Sequence, residues 1–226
     1  MIAEDRQRLS TNEPIGKYLD YLRYSNKGGI KVSDLLHHTG GMPASILFYH
    51  TLIDPKSYVA PLITHRKKKG YPTQIARKSF ARRGFRYLSS MVSKDSSALY
   101  PIRFAPKMYL HVSVKDSIRA AIRDAELSVP RKGFRYSDID FLLLQDILEQ
   151  VQQKPIDILF AEQLAQPLGL HRLLYQPYKR FGKGEIAQGQ TDNFLRHATL
   201  RGDVDDESAA MRGGVSGNAG LYGLSL

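Results

Sequence analysis

Residues 133–144 read Gly-Phe-Arg-Tyr-Ser-Asp-Ile-Asp-Phe-Leu-Leu-Leu, and they join a turn to the strongest helix signal in the chain. Ser137 is suited to cap the N-terminus of that helix, and Asp140, three residues later, completes the pattern of a capping box. Apolar residues then recur at helical spacing, so the helix is expected to bury one face. The members of this apolar stripe are Leu144, Ile147, Leu148 and Val151.

Tyr136 falls on the turn just before the predicted helix start. The unpaired N–H groups and the positive dipole end of a helix N-terminus favour a negatively charged oxygen, which would suit a proton-carrying phenol. A tyrosine in this place is more often a packing residue that closes over the first helical turn. This stretch alone leaves both interpretations open.

Length and composition restrict the classes of protein that are possible. A chain of 226 residues can bury one good-sized core or two small ones. No apolar run approaches the ~20 residues that span a bilayer, and residues 1–9 lack the apolar segment of a signal peptide. The absence of cysteine excludes disulfides, thiolate catalysis and cysteine metal sites. No linker or repeat divides the chain, so one domain is expected over residues 1–226.

The net charge of +11 comes from one segment. Residues 56–94 contain 11 of the 33 basic residues and no acidic residue, so the rest of the chain is neutral. Aromatic residues are interleaved with these charges, a composition that can bind the backbone of a nucleic acid. The same composition is also typical of a solvated loop, and a basic flap or insertion over an anionic substrate is a third interpretation.

His37 and His38 invite a metal-binding interpretation, but adjacent residues of a helix point about 100° apart and do not share a face. No other histidine stands at ligand spacing, so neither a metal site nor a cofactor is expected. The glycine-rich residues 213–223 lack the spacing of a phosphate-binding loop. They predict tight turns that lead into a closely packed element.

Three further helices are predicted from local signals. Pro14 suits the first turn of a helix with an apolar stripe, Ser113 and Asp116 form a capping-box pattern before a second helix, and Pro155 begins a third. The stripe of the first helix consists of Ile15, Tyr18, Leu19 and Leu22.

Four stretches, taken in order, resemble the serine β-lactamase-related family of class C-type β-lactamases, D-alanyl-D-alanine carboxypeptidases and related esterases. Residues 32–43 (Val-Ser-Asp-Leu-Leu-His-His-Thr-Gly-Gly-Met-Pro) resemble its Leu-Leu-Thr-His-Thr-Ser-Gly-Leu-Pro stretch, and Tyr136-Ser137-Asp138 resembles its second box, Tyr-x-Asn. Residues 154–170 resemble its Gly-Lys-Pro to Pro-Leu-Gly-Met stretch. Residues 202–222 are similar to the form found in Bacteroidetes-type bacteria, in the branch often fused to a glycoside hydrolase family three domain.

The resemblance implies acyl transfer. In the family, the serine of Ser-x-x-Lys attacks a carbonyl, the lysine and the box-two tyrosine move protons, and a third box lines the oxyanion side. Tyr136 would then be the proton-relay tyrosine. Asp138 stands where the family has Asn or, in this branch, often Asp, and it would hold the lysine or a substrate amide.

The chain also departs from the family pattern. No lysine has a serine three residues before it, and the nearest match is Thr64-His65-Arg66-Lys67 in the basic segment. No third box follows residues 202–222, where Asp205 and Asn218 replace two histidines of the family pattern. The resemblance is therefore incomplete at both ends, and residues 1–226 are expected to be a partial domain without useful hydrolytic activity.

The fold class implied is α+β, β-lactamase/transpeptidase-like, with mostly the helical subdomain present and the antiparallel sheet incomplete. The implied function is that of a serine acyl hydrolase on a peptidoglycan-type or ester substrate; the alternative is a non-catalytic protein that binds an anionic polymer through residues 56–94. Family members are usually exported. With the sheet incomplete, the apolar residues Ile15, Tyr18, Leu22, Leu221 and Tyr222 are expected to be exposed, which would favour self-association.

Overall fold

The turn and helix predicted at residues 136–152 lie in one of two compact units of the computed structural model, which describes residues 2–59, 61–82, 84–128 and 133–223. The first, here the helical unit, comprises Met1–Leu47, Lys115–Tyr175 and Val215–Leu226. The second, here the sheet unit, comprises Phe48–Val114 and Gln176–Gly214. Each unit combines distant segments of the chain, which is why no linker marks the division in the sequence.

Within the described ranges, the fold is mixed, with six α-helices and ten short strands. The helices are α1 (Ile2–Asp5), α2 (Val32–Leu36), α3 (Val114–Asp124), α4 (Asp138–Gln152), α5 (Ile156–Phe160) and α6 (Glu207–Met211). The strands are β1 (Ile63–Thr64), β2 (Thr73–Ala76), β3 (Ser79–Ala81), β4 (Val92–Ser93), β5 (Ile102–Ala105), β6 (Met108–Leu110), β7 (Leu173–Tyr175), β8 (Thr191–Asp192), β9 (Ala198–Thr199) and β10 (Leu221–Gly223). No helix of these ranges has the length and apolar content needed to cross a bilayer.

Helix α4 is the centre of the helical unit, and it packs against α2 and α5. Its buried face is wider than the predicted stripe, because Leu142 and Leu143 are fully buried beside Ile147 while Val151 is half-buried. Burial of a leucine-sized side chain stabilises a fold by roughly 1.5–3 kcal/mol. The helix is therefore held by its N-terminal half, next to the Tyr136 turn.

Residues 15–22 do not form the predicted helix. Two 3₁₀ turns, Ile15–Lys17 and Asp20–Leu22, replace it, because the backbone of Leu19 between them is extended and interrupts the helical ladder. The Ile15 and Gly16 amides donate to the carbonyls of Ile30 and Gly28. The expectation that this face is exposed was wrong for Ile15 and Leu22, which are fully buried. Leu221 is exposed, as expected.

Lys27 closes the C-terminal end of α3, which begins one residue after Ser113, where the capping-box pattern predicted a helix. Its ammonium group donates to the carbonyls of Arg123 and Ala125 at 2.8 and 2.5 Å, and to Asn26 Oδ1 at 2.8 Å. The last carbonyls of a helix lack intrahelical donors, and a cation there also opposes the negative end of the dipole. Burial lowers the pKa of Lys27.

The glycine-rich tail packs tightly in the helical unit, as the sequence predicted. A Cβ at Gly217 would collide with the carbonyl oxygen of Phe141, so the close approach to α4 requires glycine. Gln145 holds the tail in place: its Oε1 accepts from the Gly217 amide at 2.9 Å, and its Nε2 donates to the Val215 carbonyl at 3.2 Å. Strand β10 then pairs antiparallel with β7.

The sheet unit contains three small antiparallel sheets, with strand orders β1-β3-β2, β4-β6-β5 and β8-β9. Helix α6 packs on β5 and on a 3₁₀ turn, Phe48–Leu52. The sheet β1-β3-β2 lies within the basic segment, so that segment has regular structure of its own.

The sheet unit contains a largely buried arginine–aspartate pair, Arg196 with Asp192, and a partly exposed one, Arg103 with Asp203. Arg196 Nε donates to Asp192 Oδ2 at 2.7 Å, and its other nitrogens donate to the carbonyls of Val204 and Asp205 at 2.6 and 2.5 Å. Arg103 binds Asp203 through two parallel hydrogen bonds of 2.7 and 3.1 Å.

Candidate functional site

Tyr136 lies on the turn that precedes α4, with about half of its surface exposed. Its hydroxyl donates to Asp138 Oδ1 at 3.0 Å. The two residues proposed from the sequence as catalytic are therefore hydrogen-bonded to each other. An accessible phenol that is held by a carboxylate can pass a proton to or from a bound molecule.

Ser137 is the N-cap of α4, as predicted. Its buried Oγ accepts from the Ile139 amide at 3.1 Å and donates to the carbonyl of Pro43 at 2.6 Å. The Asp138 amide donates to the carbonyl of Ala44 at 3.0 Å. These bonds join the second family-like stretch to the end of the first, more than 90 residues earlier in the chain.

The capping box predicted between Ser137 and Asp140 does not form. Asp140 instead turns its carboxylate to His38, with Oδ2 lying 2.8 Å from Nδ1. The local pattern predicted that this carboxylate would accept from the N-cap amide at the helix start, but it binds His38, which follows α2, instead. The Ser137 amide points at the same imidazole, 3.3 Å from Nδ1.

His38 contacts the turn before α4 through its backbone and its ring. It lies just beyond α2 with a positive φ of 55°, which turns the chain toward the site, and its carbonyl accepts from the Arg135 amide at 2.9 Å. Its ring is 4.8 Å from the Tyr136 ring, centre to centre. Phe134 and Phe141 also contact the imidazole, with ring centres 5.6 and 5.3 Å away.

Burial raises the pKa of Asp140 to about 6, although the hydrogen bond and charge of His38 oppose this rise. Its Oδ1 is buried and has no hydrogen-bond partner in the described part of the chain. An ionised carboxylate would need several donors in such a place, whereas a protonated carboxyl needs fewer. The pair is therefore placed to exchange a proton near neutral pH.

His37 and His38 point to different environments, but not through helical spacing, because α2 ends at Leu36 and His38 has a positive φ. His37 is exposed and its Nδ1 contacts the Ser33 carbonyl at 2.7 Å, whereas His38 is buried on Asp140. Among residues 2–59, 61–82, 84–128 and 133–223, no group of three or more side chains of the metal-binding types His, Cys, Asp and Glu is assembled for a metal ion.

The other family-like stretches have structural partners. Lys154 pairs with Glu162 at 2.7 Å on the surface of the helical unit. In the sheet unit, Asp206 caps α6 by accepting from the Ala209 amide at 2.6 Å, and Asp203 binds Arg103. Asp206 thus stabilises the start of α6, and Asp203 is bonded to Arg103 of β5.

Three aromatic residues of the basic segment, Tyr71, Phe85 and Tyr87, have packing or hydrogen-bond partners within the sheet unit. Tyr71 is buried and donates to the Pro61 carbonyl at 2.7 Å, Tyr87 donates to the Leu195 carbonyl, and Phe85 packs edge-on against Phe194. Rings held in this way are not presented as a stacking surface for bases. The lysines at 67–69 are exposed at the adjacent turn.

The sequence patterns propose Tyr136 and Asp138 as site residues and Ser137 as the helix cap, but they do not indicate the contact between His38 and Asp140. Those patterns offer His38 as a metal ligand and Asp140 as part of a helix cap. The available signal was that Asp140 stands between Ile139 and Phe141, and that both residues lie on stretches that resemble the family or adjoin one.

The comparisons with known proteins identify the family. The family model described as "Beta-lactamase" matches residues 1–223. A putative D-alanyl-D-alanine carboxypeptidase of Escherichia coli K12 is 28% identical over 234 residues, which is 95% of this chain and 42% of that protein. The chain thus spans less than half the length of this curated relative.

Two solved structures have the same fold at low sequence identity. An octameric penicillin-binding protein homologue from Pyrococcus abyssi matches with a TM-score of 0.53 at 14% identity, covering 99% of this chain and 38% of that one. A β-lactamase/D-alanine carboxypeptidase from Pseudomonas syringae matches with a TM-score of 0.50 at 16% identity, covering 99% of this chain and 43% of that one. The fold is therefore β-lactamase/transpeptidase-like and α+β, as predicted, and the chain belongs to the β-lactamase family of serine hydrolases and penicillin-binding-like proteins.

Proposed function

We propose that residues 1–226 supply the proton-relay part of a serine acyl hydrolase whose substrates are peptides ending in D-alanyl-D-alanine or related esters. The observation that carries this proposal is the half-exposed Tyr136 hydroxyl, held 3.0 Å from Asp138 on the turn before α4. The substrate class is taken from the relative in Escherichia coli, a putative D-alanyl-D-alanine carboxypeptidase. Family membership favours this function over the binding of an anionic polymer by residues 56–94.

In this function, Tyr136 accepts a proton from the attacking hydroxyl and returns it to the leaving group. A general acid–base group of this kind contributes about 10²–10⁴ in rate. Asp138 orients the phenol, and its carboxylate is also placed to accept from a substrate amide. The relay acts only on a nucleophile, and no serine within residues 1–226 precedes a lysine by three positions.

We therefore propose that residues 1–226 alone do not turn over acyl substrates. The purified polypeptide is assayed with nitrocefin, p-nitrophenyl butyrate and diacetyl-Lys-D-Ala-D-Ala, and hydrolysis at the uncatalysed rate is expected. Turnover that disappears in Tyr136→Phe would contradict this, because it would show that a nucleophile is present in the chain.

The catalytic role of Tyr136 is tested on the protein as it is expressed in its native cell. Fluorescent penicillin should label it, and Tyr136→Phe should slow the labelling by about 10²–10⁴-fold. Tyr24→Phe is the matched control, because Tyr24 belongs to the same unit and is 95% exposed. Labelling that is equally fast in Tyr136→Phe and in the control overturns the proposed relay.

A further inference from the structure

The buried pair of His38 and Asp140 contacts the Tyr136 turn through hydrogen bonds as well as through ring packing. The carbonyl of His38 holds the amide of residue 135, its Nδ1 faces the amide of residue 137, and its ring lies against the ring of Tyr136. Every residue from 134 to 138 except Asp138 contacts His38 by one of these means, and Asp138 contacts Tyr136.

One nitrogen has two partners at this point. His38 Nδ1 lies 2.8 Å from Asp140 Oδ2 and 3.3 Å from the Ser137 amide nitrogen. An imidazole nitrogen either carries a proton and donates, or carries a lone pair and accepts. The amide can only donate, so its hydrogen bond exists only while Nδ1 carries no proton.

We propose that His38 and Asp140 are positioning residues for Tyr136, and that a proton taken up or released by this buried pair decides whether the Ser137 amide is bound to the imidazole. The pair thereby sets the order of the turn that carries the phenol. The catalytic consequence rests on the function proposed above for Tyr136, but the switch itself is a property of the folded chain.

The two states differ by one proton. In the protonated state, Asp140 carries a proton on Oδ2 and donates it to Nδ1, and His38 has its own proton on Nε2. The Ser137 amide shares the same Nδ1 lone pair as a second, longer contact of 3.3 Å. On deprotonation, one proton leaves for solvent, and the remaining imidazole proton moves to Nδ1 and is donated to the Asp140 carboxylate. The Ser137 amide then has no acceptor at the ring, and since Ser137 is fully buried, an unpaired amide there is costly.

The neighbouring charged groups have partners of their own. On α2, Asp34 accepts from the Lys31 amide, and just after it His37 contacts the Ser33 carbonyl. On the turn, the Arg135 guanidinium donates to Ser128, and Asp138 accepts from Tyr136. Farther along α4, Asp146 accepts from Tyr21. Burial and His38 are what set the pKa of Asp140, at about 6, so the change of state falls near that pH.

The test is NMR of the chain labelled with ¹⁵N and with 3-fluorotyrosine, between pH 4.5 and 8. The Tyr136 fluorine signal is assigned as the one absent in Tyr136→Phe. The Ser137 amide, the His38 ring nitrogens and the Tyr136 fluorine are expected to titrate together with a midpoint near 6. Above the midpoint, the proton of the His38 ring should be found on Nδ1, and the Ser137 amide should exchange faster with solvent.

Asp140→Asn should abolish this common midpoint, because it removes the carboxyl group whose pKa lies at about 6. His37→Asn is the matched control, since it removes the adjacent exposed histidine, and the midpoint should be unchanged. A Tyr136 midpoint near 6 that survives in Asp140→Asn overturns the proposal. If that variant does not fold, the wild-type protein provides the test. A Ser137 amide signal that does not change with pH together with the His38 ring signals also overturns the proposal.

These measurements need no hydrolysis, so the two proposals can fail separately. A common midpoint without any effect of Tyr136→Phe on penicillin labelling would retain the switch and reject the relay. A strong effect of Tyr136→Phe on labelling, without a common midpoint, would retain the relay and reject the switch.

Discussion

In the helical unit, the buried carboxylate of Asp140 faces an imidazole, whereas in the sheet unit the buried carboxylate of Asp192 faces a guanidinium. Both contacts are short, 2.8 and 2.7 Å. Burial raises the pKa of Asp140 to about 6. Burial also acts to raise the pKa of Asp192, but the hydrogen bonds from Arg196 and from the amides of Phe194 and Leu195 outweigh it, and the pKa is lowered.

The difference lies in what each partner can do. A guanidinium does not lose its proton in a protein, so the Arg196 pair is a permanent ion pair that fixes structure. An imidazole and a carboxyl group can share and exchange a proton near neutral pH. Two buried pairs of similar length therefore have different properties, and the exchangeable one lies at the candidate site.

The largest effect is expected from Arg196→Ala. It leaves the largely buried Asp192 charged and without a positively charged partner, and it removes the donors to the carbonyls of Val204 and Asp205. The free energy of unfolding should therefore fall by about 3–5 kcal/mol in urea denaturation. Arg119→Ala, which breaks a long, exposed contact of 3.9 Å, is the control and should have little effect. A loss below about 1 kcal/mol for Arg196→Ala would mean that the two units do not differ in the way described.

A smaller effect on stability is expected from Asp140→Asn, and its pH dependence should be opposite to that of the Asp192 carboxylate. Because the folded pKa of Asp140 is raised, the folded state binds more protons than the unfolded state between about pH 4 and 6, so wild-type stability falls as pH rises through this window. The difference in unfolding free energy between variant and wild type should shift in favour of the variant from pH 4 to pH 7, by on the order of 1–3 kcal/mol. Asp192, whose pKa is lowered, contributes stability that is present at neutral pH and lost in stronger acid. A pH-independent difference for Asp140→Asn would contradict the raised pKa.

The smallest effect is expected from Tyr136→Phe. The hydroxyl is on a half-exposed ring and bonds to a surface carboxylate, so its loss should change the unfolding free energy by no more than about 0.5 kcal/mol. Thermal unfolding followed by circular dichroism measures this. A loss of several kcal/mol would indicate that the phenol is a packing residue, which is the other interpretation that the sequence allowed.

The local signals predicted what local interactions decide. Ser137 caps α4, the helix after Pro155 begins at Ile156, and the glycine-rich tail packs closely. The resemblance to the β-lactamase-related family predicted the fold. Each motif alone is common, but the order of the four motifs along the chain is typical of this family.

The local signals failed where a distant partner competed. Asp140 had the right spacing to cap α4, but the imidazole of His38, 102 residues away, binds it instead. Residues 15–22 had helical periodicity, but the backbone is extended at Leu19, and the segment is bonded through Ile15 and Gly16 to residues 28–30. The basic segment has the composition of a loop, yet its aromatic rings have apolar neighbours that only the folded chain supplies. Self-association, which was expected from exposed apolar faces, stays a prediction, with Leu221 as its remaining support.

The hydrogen bond between Ser137 and Pro43 spans 94 positions of the chain, and this separation bears on the order of folding. Closing a long loop costs conformational entropy, and this cost precedes the stabilisation that the new contact provides. Contacts of high sequence separation therefore form slowly. The first turn of α4 can form early from its own propensity, but the phenol reaches its place only after residues 38–44 arrive. A nascent or partly unfolded chain would thus contain the helix while lacking the assembled turn.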